Sequence, residues 1–312
     1  MRRHLIHVGY PKAGSTFLQA WFSRHPAFRY AEGGIAGYRS VYQMCSRSDA
    51  PFSWHVTSCE GFAAPYDGMD GLGVEGVGDH ESVIERIGER QAEVCGTLRT
   101  LYPGSRILIV TRGFRAMIYS GYSQYVRTGG TLSLAEVCAA HVGRCARGER
   151  LHLDFDYLIG MYAEAFGGEN VIVLPYELLR DDRHRFLAVL EARLGVEHAE
   201  TDVGRVNPSL SPEELYWYPR ISRALVEGTA RAGQGPARRV ERWYLPRALD
   251  NRLRPLVRLL ARARPGRAVT AAQVPRELLR CYQGKAASLR QDPLYAPYAA
   301  DYLWEEGAGA GS

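Results

Sequence analysis

The sequence predicts a three-layer α/β fold, in which a central parallel sheet is flanked by helices on both faces. Three apolar runs are typical of buried parallel strands, at residues 4–9, 106–111 and 170–174. Each run is followed by a segment with helical periodicity, at 15–24, from about 116 and at 182–194. Strands that alternate with helices favour a parallel sheet covered on both sides.

Weaker signals complete the predicted elements. Residues 52–57 are a candidate strand inside the Gly- and aromatic-rich segment 27–80. Residues 81–102 carry an apolar stripe at helical spacing that ends at a Pro-Gly pair, so we expect a helix there. The run Ser211-Pro212-Glu213-Glu214 is a typical helix start, with Ser as N-cap, Pro at the first position and Glu at the third.

The length of 312 residues suits one large α/β domain. We expect a core over 1–200, a mainly helical part over 201–306 that packs on it as the same domain or as a lid, and a flexible tail over 307–312. The sequence has no run of 18 apolar residues, and Met1-Arg2-Arg3 leads directly into the first strand, so we expect neither a membrane span nor a secretory signal. The six cysteines form no CxxC pair, and we interpret them as reduced thiols of a cytoplasmic protein. No cluster has metal-ligand spacing, so no metal is expected.

The positive charge is concentrated near the C-terminus. The chain has a net charge of +5, yet residues 220–267 alone contain thirteen arginines against three acidic residues. Within them, residues 252–264 predict a helix with an apolar stripe on one side and arginines on the other. Such a helix suits peripheral contact with the anionic inner face of a membrane, a lid over a site, or a polyanionic glycan. The remaining alternative is a packed helix with a solvated Arg-rich face. No nucleic-acid-binding motif accompanies the charge, so no nucleic-acid partner is expected.

Lysine is nearly absent from this chain, and its placement is informative. It occurs only at Lys12 and Lys285, whereas the chain holds 39 Lys and Arg residues. Lys12 lies in the loop 9–16, between the first strand and the first helix. A lysine ammonium is a compact point charge that suits a single phosphate or sulfate oxygen. Because the backbone N–H groups and dipole of a helix start also attract anions, this loop is a candidate phosphate site.

The loop departs from the Walker A pattern of P-loop NTPases. Gly9 and Gly14 have the right spacing, but Ser15 stands where Walker A has its lysine. The strand 106–111 ends in Thr111-Arg112, without the aspartate of a Walker B strand. The loops after residues 9, 57, 111 and 174 should still meet at one sheet edge, because ligands of parallel sheets bind beyond the carboxyl ends of the strands.

Two motifs of the chain resemble the signatures of the PAPS-dependent sulfotransferase family, which has a P-loop-like fold. The run Tyr10-Pro11-Lys12-Ala13-Gly14-Ser15-Thr16-Phe17 is similar to the family's Tyr-Pro-Lys-Ser-Gly-Thr-Thr-Trp. Arg112 and Ser120 match its second signature, an Arg at a strand end and a Ser eight residues later. Leu174-Pro175-Tyr176-Glu177 is a looser match to a strand-end Tyr-Glu. Together the matches span about residues 5–195.

The resemblance implies a binding site for PAPS (3′-phosphoadenosine 5′-phosphosulfate; product PAP) in the core 1–200. It assigns the 5′-phosphosulfate to the loop formed by Pro11, Lys12, Ala13, Gly14, Ser15 and Thr16. It assigns the 3′-phosphate to Arg112 and Ser120, and it places Tyr176 near the nucleotide. Phe17 stands at the family's adenine-stacking Trp, or it is a core residue. The chain lacks the usual Asn-Pro after Arg112 and an Arg-Lys-Gly clamp, so a third 3′-phosphate ligand is not assigned.

The resemblance also implies catalytic roles. Lys12 would meet the leaving phosphate's bridging oxygen, and a Glu or His near a strand end would act as the general base. Glu60, just after the candidate strand 52–57, is the first choice, and its alternative role is an ordinary loop carboxylate. His55 is the second choice, although it would lie within the strand. Glu32 and His80 are weaker candidates.

The leading hypothesis is therefore a sulfotransferase that moves a sulfuryl group from PAPS to a hydroxyl of a small-molecule, carbohydrate or lipid-linked acceptor. A P-loop kinase or NTPase is one alternative, and it predicts Mg²⁺-dependent ATP binding. A non-catalytic nucleotide-binding module is another, and it would need no base. Aromatic residues at 30, 38, 42, 54 and 66 are available to stack on the acceptor, or they belong to the core.

Overall fold

One five-stranded parallel sheet forms the centre of the fold. The computed structural model describes residues 3–46, 52–65, 87–203, 210–230, 252, 254–263 and 268–304. The strands are β1 (Arg3–Gly9), β2 (Phe28–Tyr30), β3 (Trp54–Cys59), β4 (Arg106–Thr111) and β5 (Val171–Pro175), in the order β2-β3-β1-β4-β5. The predicted α/β class with a central parallel sheet is confirmed.

Helices connect and cover the strands. Those of the described residues are α1 (Ser15–Arg24), α2 (Val41–Cys45), α3 (Ile87–Leu101), α4 (Phe114–Arg127), α5 (Leu134–Ala146), α6 (Phe155–Phe166), α7 (Tyr176–Asp181), α8 (Arg183–Leu194), α9 (Pro212–Ala230), α10 (Arg254–Ala263) and α11 (Arg276–Cys281). A short 3₁₀ turn, Glu60–Phe62, follows β3 directly.

The register of the sheet brings four strand ends to one edge. Val8 of β1 lies opposite Cys59 of β3 and Ile109 of β4, and Val110 lies opposite Leu174 of β5. The strand interiors are buried on both faces because helices pack above and below them, which explains their continuous apolar runs. The chain exits after β1, β3, β4 and β5 are therefore neighbours.

Most predicted elements are present within one to three residues. The predicted strand 52–57 starts at Trp54 and extends to Cys59, and the helix after β4 starts at Phe114 instead of about 116. Strand β2 was not predicted, because three edge residues are too few to show a period-2 pattern. Residues 81–86 of the predicted helix 81–102, and the tail 307–312, lie outside the described residues.

The Arg-rich helix α10 packs on the protein through Val257 and Arg254. Val257 is completely buried, and Arg254 donates to the buried Glu214 of α9 through Nε (2.6 Å) and Nη2 (3.0 Å). Ser211 caps α9 as predicted, because its Oγ accepts from the Glu214 N–H at 3.2 Å. Residues 231–251, 253 and 264–267 lie outside the described residues. In the described part of the chain, no helix has the length and hydropathy to cross a membrane.

The prediction of reduced thiols is wrong for two of the six cysteines. Cys145 of α5 and Cys281 of α11 form a disulfide, with their Cα atoms 6.1 Å apart. No sequence pattern marks this pair, because 136 residues separate the two positions and only the packing of α11 against α5 brings them together. Cysteine usage is therefore no argument for a cytoplasmic location.

The half-buried His4 and the buried His7 are expected to make stability depend on pH. His4 bonds Thr57 Oγ1 through Nε2 at 2.9 Å and Ser105 Oγ through Nδ1 at 3.0 Å. Burial lowers the pKa of His4 to about 4, with a further contribution from nearby His55, and burial alone lowers the pKa of His7 to about 4.

We expect the free energy of unfolding to fall as the pH decreases from about 6.5 to 4. A histidine whose pKa is lower in the folded than in the unfolded state stabilises the fold at pH values above the unfolded pKa. This contribution is lost as the pH falls, because the unfolded state then binds protons preferentially. Each histidine accounts for on the order of 3 kcal/mol. Urea titrations at several pH values should show a shallower slope for His4→Gln. His184→Gln, on the exposed surface of α8, serves as the control and should keep the wild-type slope. An unchanged slope in His4→Gln would contradict this account.

Candidate anion-binding and transfer site

The loop after β1 has the conformation of an anion cradle. Lys12 has φ 69° and Gly14 has φ 85°, so both occupy the left-handed region. A non-glycine residue in this region costs of order 1–3 kcal/mol and is typical of functional sites. A Cβ on Gly14 would lie 2.7 Å from Leu179 Cδ2 and 3.2 Å from Tyr176 Cδ2, so only glycine fits. Gly14 precedes the first turn of α1, whose free N–H groups attract anions.

Arg112 joins the end of β4 to this loop. Its Nη1 donates to the backbone carbonyl of Lys12 at 2.7 Å, and its guanidinium lies 4.6 Å from the centre of the Tyr176 ring. Its Nε is buried and has no hydrogen-bond partner among the residues that the structure describes. Because a buried unpaired donor costs free energy, this atom suits a ligand that brings an acceptor. The predicted residues Lys12, Arg112 and Tyr176 thus lie together.

The site is strongly positive. Burial lowers the pKa of the Lys12 ammonium, and the positive charges of Arg127 and Arg112 lower it further, whereas Glu60 opposes the shift. Burial is also the main cause of the lowered pKa of Arg112. Two arginines and one carboxylate thus act electrostatically on Lys12, and the surplus of positive charge suits an anionic ligand. Arg127 was not predicted, because it lies at the end of α4 and the sequence carries no signal that this end approaches Lys12.

Glu60 lies beside the loop and His55 does not. The Ser15 hydroxyl donates to Glu60 Oε1, and Glu60 starts the 3₁₀ turn at the carboxyl end of β3. His55 is the second residue of β3, about 13 Å from the far end of the strand at 3.3 Å per residue. Its Nδ1 donates to the Ala36 carbonyl at 2.9 Å, and its ring packs edge-on against Phe52. The structure therefore brings only one of the two predicted bases to Lys12.

The other residues predicted to contact the nucleotide differ in burial and in the side chains around them. Ser120 lies half-buried on α4, two turns after the start of the helix. Phe17 is half-buried against the core, and the Arg183 guanidinium lies 4.9 Å from the centre of its ring. One face of Phe17 is therefore already covered by a cation–π contact. In the loop itself Pro11 is half-buried, Ala13 is buried and Thr16 is exposed.

The aromatic residues predicted to stack on an acceptor differ in exposure. Trp54 is 1 % exposed and belongs to the core, whereas Tyr42 is 82 % exposed. Tyr30 ends β2 opposite Val56, three residues before β3 ends at Cys59. Burial, helped by Glu32 and Cys59, raises the pKa of Tyr30 to about 12. Tyr38 packs near His55, at 5.6 Å between ring centres. Tyr66 and His80 lie outside the described residues, and Glu32 is exposed just after β2.

A buried polar network supports the strand end that carries Arg112. Glu177 accepts the Gly113 N–H at 3.0 Å and the Tyr302 hydroxyl at 3.1 Å. Thr111 Oγ1 bonds the hydroxyls of Tyr302 (2.9 Å) and Tyr295 (2.8 Å). Burial raises the pKa of Glu177. Residues from the C-terminal end of the described chain thus fix the backbone on both sides of Arg112.

The described ranges contain no group of three or more His, Cys, Asp or Glu side chains arranged to hold a metal ion. The cations and N–H groups described above are the available partners for an anionic ligand.

Comparison with known proteins finds similarity to solved sulfotransferase structures. A sulfotransferase from Alicyclobacillus acidocaldarius is 18% identical, with 76% of this chain and 99% of that chain covered and a TM-score of 0.44. Mouse sulfotransferase SULT7A1 complexed with PAP is 14% identical, with 70% and 64% covered and a TM-score of 0.38. No protein-family model matches the chain, and no curated protein matches it. At these identities and TM-scores the likenesses establish no activity, and the functional evidence is the set of side chains described above.

We expect Glu177→Ala to destabilise the protein by about 2–4 kcal/mol, because it leaves the buried Gly113 N–H and Tyr302 hydroxyl without an acceptor. Urea unfolding measures the loss. Glu177→Gln keeps a carbonyl acceptor and should lose clearly less. Equal stability of the alanine variant and the wild type would show that the network does not hold this strand end.

Proposed function

We propose that this protein transfers a sulfuryl group from PAPS to an acceptor hydroxyl by in-line displacement. The observation that carries the proposal is the hydrogen bond from Arg112 to the Lys12 carbonyl. It brings the two cations of the family-like motifs, 100 residues apart in the chain, to one cradle. A donor with anionic groups on both the 3′ and the 5′ oxygen of one ribose requires two such cations in fixed relation.

The residues present fit this donor. The buried, unpaired Arg112 Nε offers a donor to a phosphate, and the cluster of Lys12, Arg112 and Arg127 supplies the charge. The loop Pro11-Lys12-Ala13-Gly14-Ser15-Thr16 would hold the phosphosulfate. Arg112 and Ser120 would hold the 3′-phosphate, with Tyr176 and Phe17 beside the nucleotide.

The proposed chemistry follows from these positions. When bound, PAPS supplies an activated sulfuryl group: a bond from the acceptor oxygen to sulfur forms as the bond from sulfur to the phosphate oxygen breaks. The electron pair of the broken bond stays with the phosphate oxygen of PAP, where the Lys12 ammonium stabilises the developing charge. The acceptor's proton passes to Glu60, which lies in the same cluster. His55 remains a weaker candidate for the base because it lies at the other end of β3.

The acceptor is proposed only by class, as a hydroxyl of a small molecule, a carbohydrate or a lipid-linked compound. Tyr30 is a candidate contact, because its hydroxyl is buried and has no hydrogen-bond partner among the described residues. Membrane contact through 252–264 is less favoured than packing, because Val257 of this helix is buried and Arg254 is paired with Glu214.

Removal of the Lys12 ammonium should slow turnover by on the order of 10²–10³, the cost of losing one preorganised donor. Single-turnover transfer from sulfur-labelled PAPS into a hydroxyl-rich cell extract measures this in Lys12→Met. Lys285→Met is the matched control, because Lys285 is the chain's other lysine and lies exposed against Asp154.

Calorimetry with PAP and with ATP plus Mg²⁺ tests the alternative functions. Tighter binding of ATP with Mg²⁺ than of PAP would favour a kinase or NTPase and contradict the proposal.

Glu60→Gln separates catalysis from binding. We expect turnover to fall by about 10²–10⁴, the contribution of a general base. Affinity for PAP should stay equal or increase, because the substitution removes a negative charge beside Ser15. Glu93→Gln, an exposed carboxylate on α3, should change neither quantity. PAP binding without any transfer by the wild type would favour the non-catalytic alternative, and full turnover in Glu60→Gln would remove Glu60 as the base.

A further inference from the structure

His7 is a buried titratable residue that the proposed transfer does not use. It lies on β1, two residues before Gly9, and is 1 % exposed. Its Nδ1 lies 2.8 Å from Ser58 Oγ on β3, and the same oxygen accepts from Gln19 Nε2 of α1 at 3.2 Å. One hydroxyl therefore joins β1, β3 and α1 directly behind the anion loop.

The contact between Nδ1 and Ser58 leaves two tautomers of the imidazole, with the proton on Nδ1 or on Nε2. Burial lowers the pKa of His7 to about 4, so the ring is neutral near pH 7 and carries a single N–H. The Gln19 amide donates to Ser58 Oγ, which leaves the Ser58 hydrogen for an acceptor. In the tautomer that accepts this hydrogen at Nδ1, the ring proton lies on Nε2, and we assign this tautomer to His7.

The Nε2–H group is buried close to the loop. It has no hydrogen-bond partner within the described chain. A Cβ placed on Gly9 would lie 3.4 Å from Nε2, 3.2 Å from Cε1 of the same ring and 3.6 Å from Ser15 Cβ. The imidazole edge therefore lies against the segment that carries Lys12 and Ser15, beneath the start of the cradle.

We propose that His7 is a positioning residue for the anion loop. Ser58 and Gln19 orient the ring so that Nε2–H donates to the loop when the loop holds an anion. A buried donor without a partner is costly, and the cost is relieved if the loaded loop supplies the acceptor. The unpaired donor thus favours the loaded conformation. This role rests on one part of the proposed function, namely that the loop binds the anionic phosphosulfate group of the donor.

Two substitutions of His7 separate this role from simple packing. A glutamine amide reaches the position of Nε2, whereas an asparagine amide reaches that of Nδ1. His7→Gln should bind PAP within about threefold of the wild type. His7→Asn, which keeps a partner for Ser58 but has no donor at Nε2, should bind roughly tenfold more weakly, the equivalent of about 1.4 kcal/mol. Calorimetry with PAP and with inorganic pyrophosphate gives the affinities, and thermal unfolding gives the stability of each variant.

The reverse order of affinities, equal binding by both variants, or losses that follow only the unfolding temperatures would overturn the role. A second readout uses ¹⁵N-histidine NMR of the wild type. The Nε2 of His7 should be protonated before ligand is added, and its proton shift should move downfield as a hydrogen bond forms. An unprotonated Nε2, or a shift that does not respond to ligand, would also overturn it.

Failure of the proposed function gives a different pattern. If the wild type binds pyrophosphate but not PAP, the donor assignment is wrong, and the two His7 variants are still compared with pyrophosphate. If the wild type binds neither probe, the loop is not an anion site and both proposals fail.

Discussion

The hydrogen bond from Arg112 to the Lys12 carbonyl is the constraint on which the rest of the site depends. It connects the ends of two adjacent parallel strands and supports a lysine in a left-handed conformation that the chain would otherwise avoid. It uses one donor of the guanidinium while Tyr176 covers the face of the group, and Nε remains buried and unpaired. The Arg112 guanidinium therefore holds the loop through Nη1 and still has its Nε hydrogen to donate to a ligand.

The surrounding fold maintains this contact from two sides. Behind β4, Glu177, Thr111 and the tyrosines of the C-terminal segment hold the backbone on each side of Arg112. Behind β1, the bonds among His7, Ser58 and Gln19 hold the base of the loop against β3 and α1. A loop with a left-handed lysine thus lies between two networks of polar side chains. These networks connect the loop to β3, β4, α1 and the C-terminal segment of the described chain.

Sequence reasoning was most successful where structure is local. The units β1–α1 and β4–α4 and the strand β5 were predicted because each strand is an apolar run and is followed by a segment of helical periodicity. The loop between β1 and α1 was predicted because Lys12 and Gly14 lie in the short segment between an apolar strand and a helix of clear periodicity. The short edge strand β2 and the disulfide between Cys145 and Cys281 were missed, since neither leaves a periodic or spaced pattern in the chain. Arg127 was missed for the same reason: its approach to Lys12 depends on where α4 ends in space.

The sequence by itself determined the layer order, the strand-to-helix loop and the residue types of an anion site, because these depend on neighbouring residues. Only the tertiary structure decided which distant groups meet there. Glu60 reaches Ser15 while His55 lies at the other end of the same strand, and Arg112 reaches across to β1. Contacts of this kind depend on strand order and register, which follow from the packing of the whole sheet.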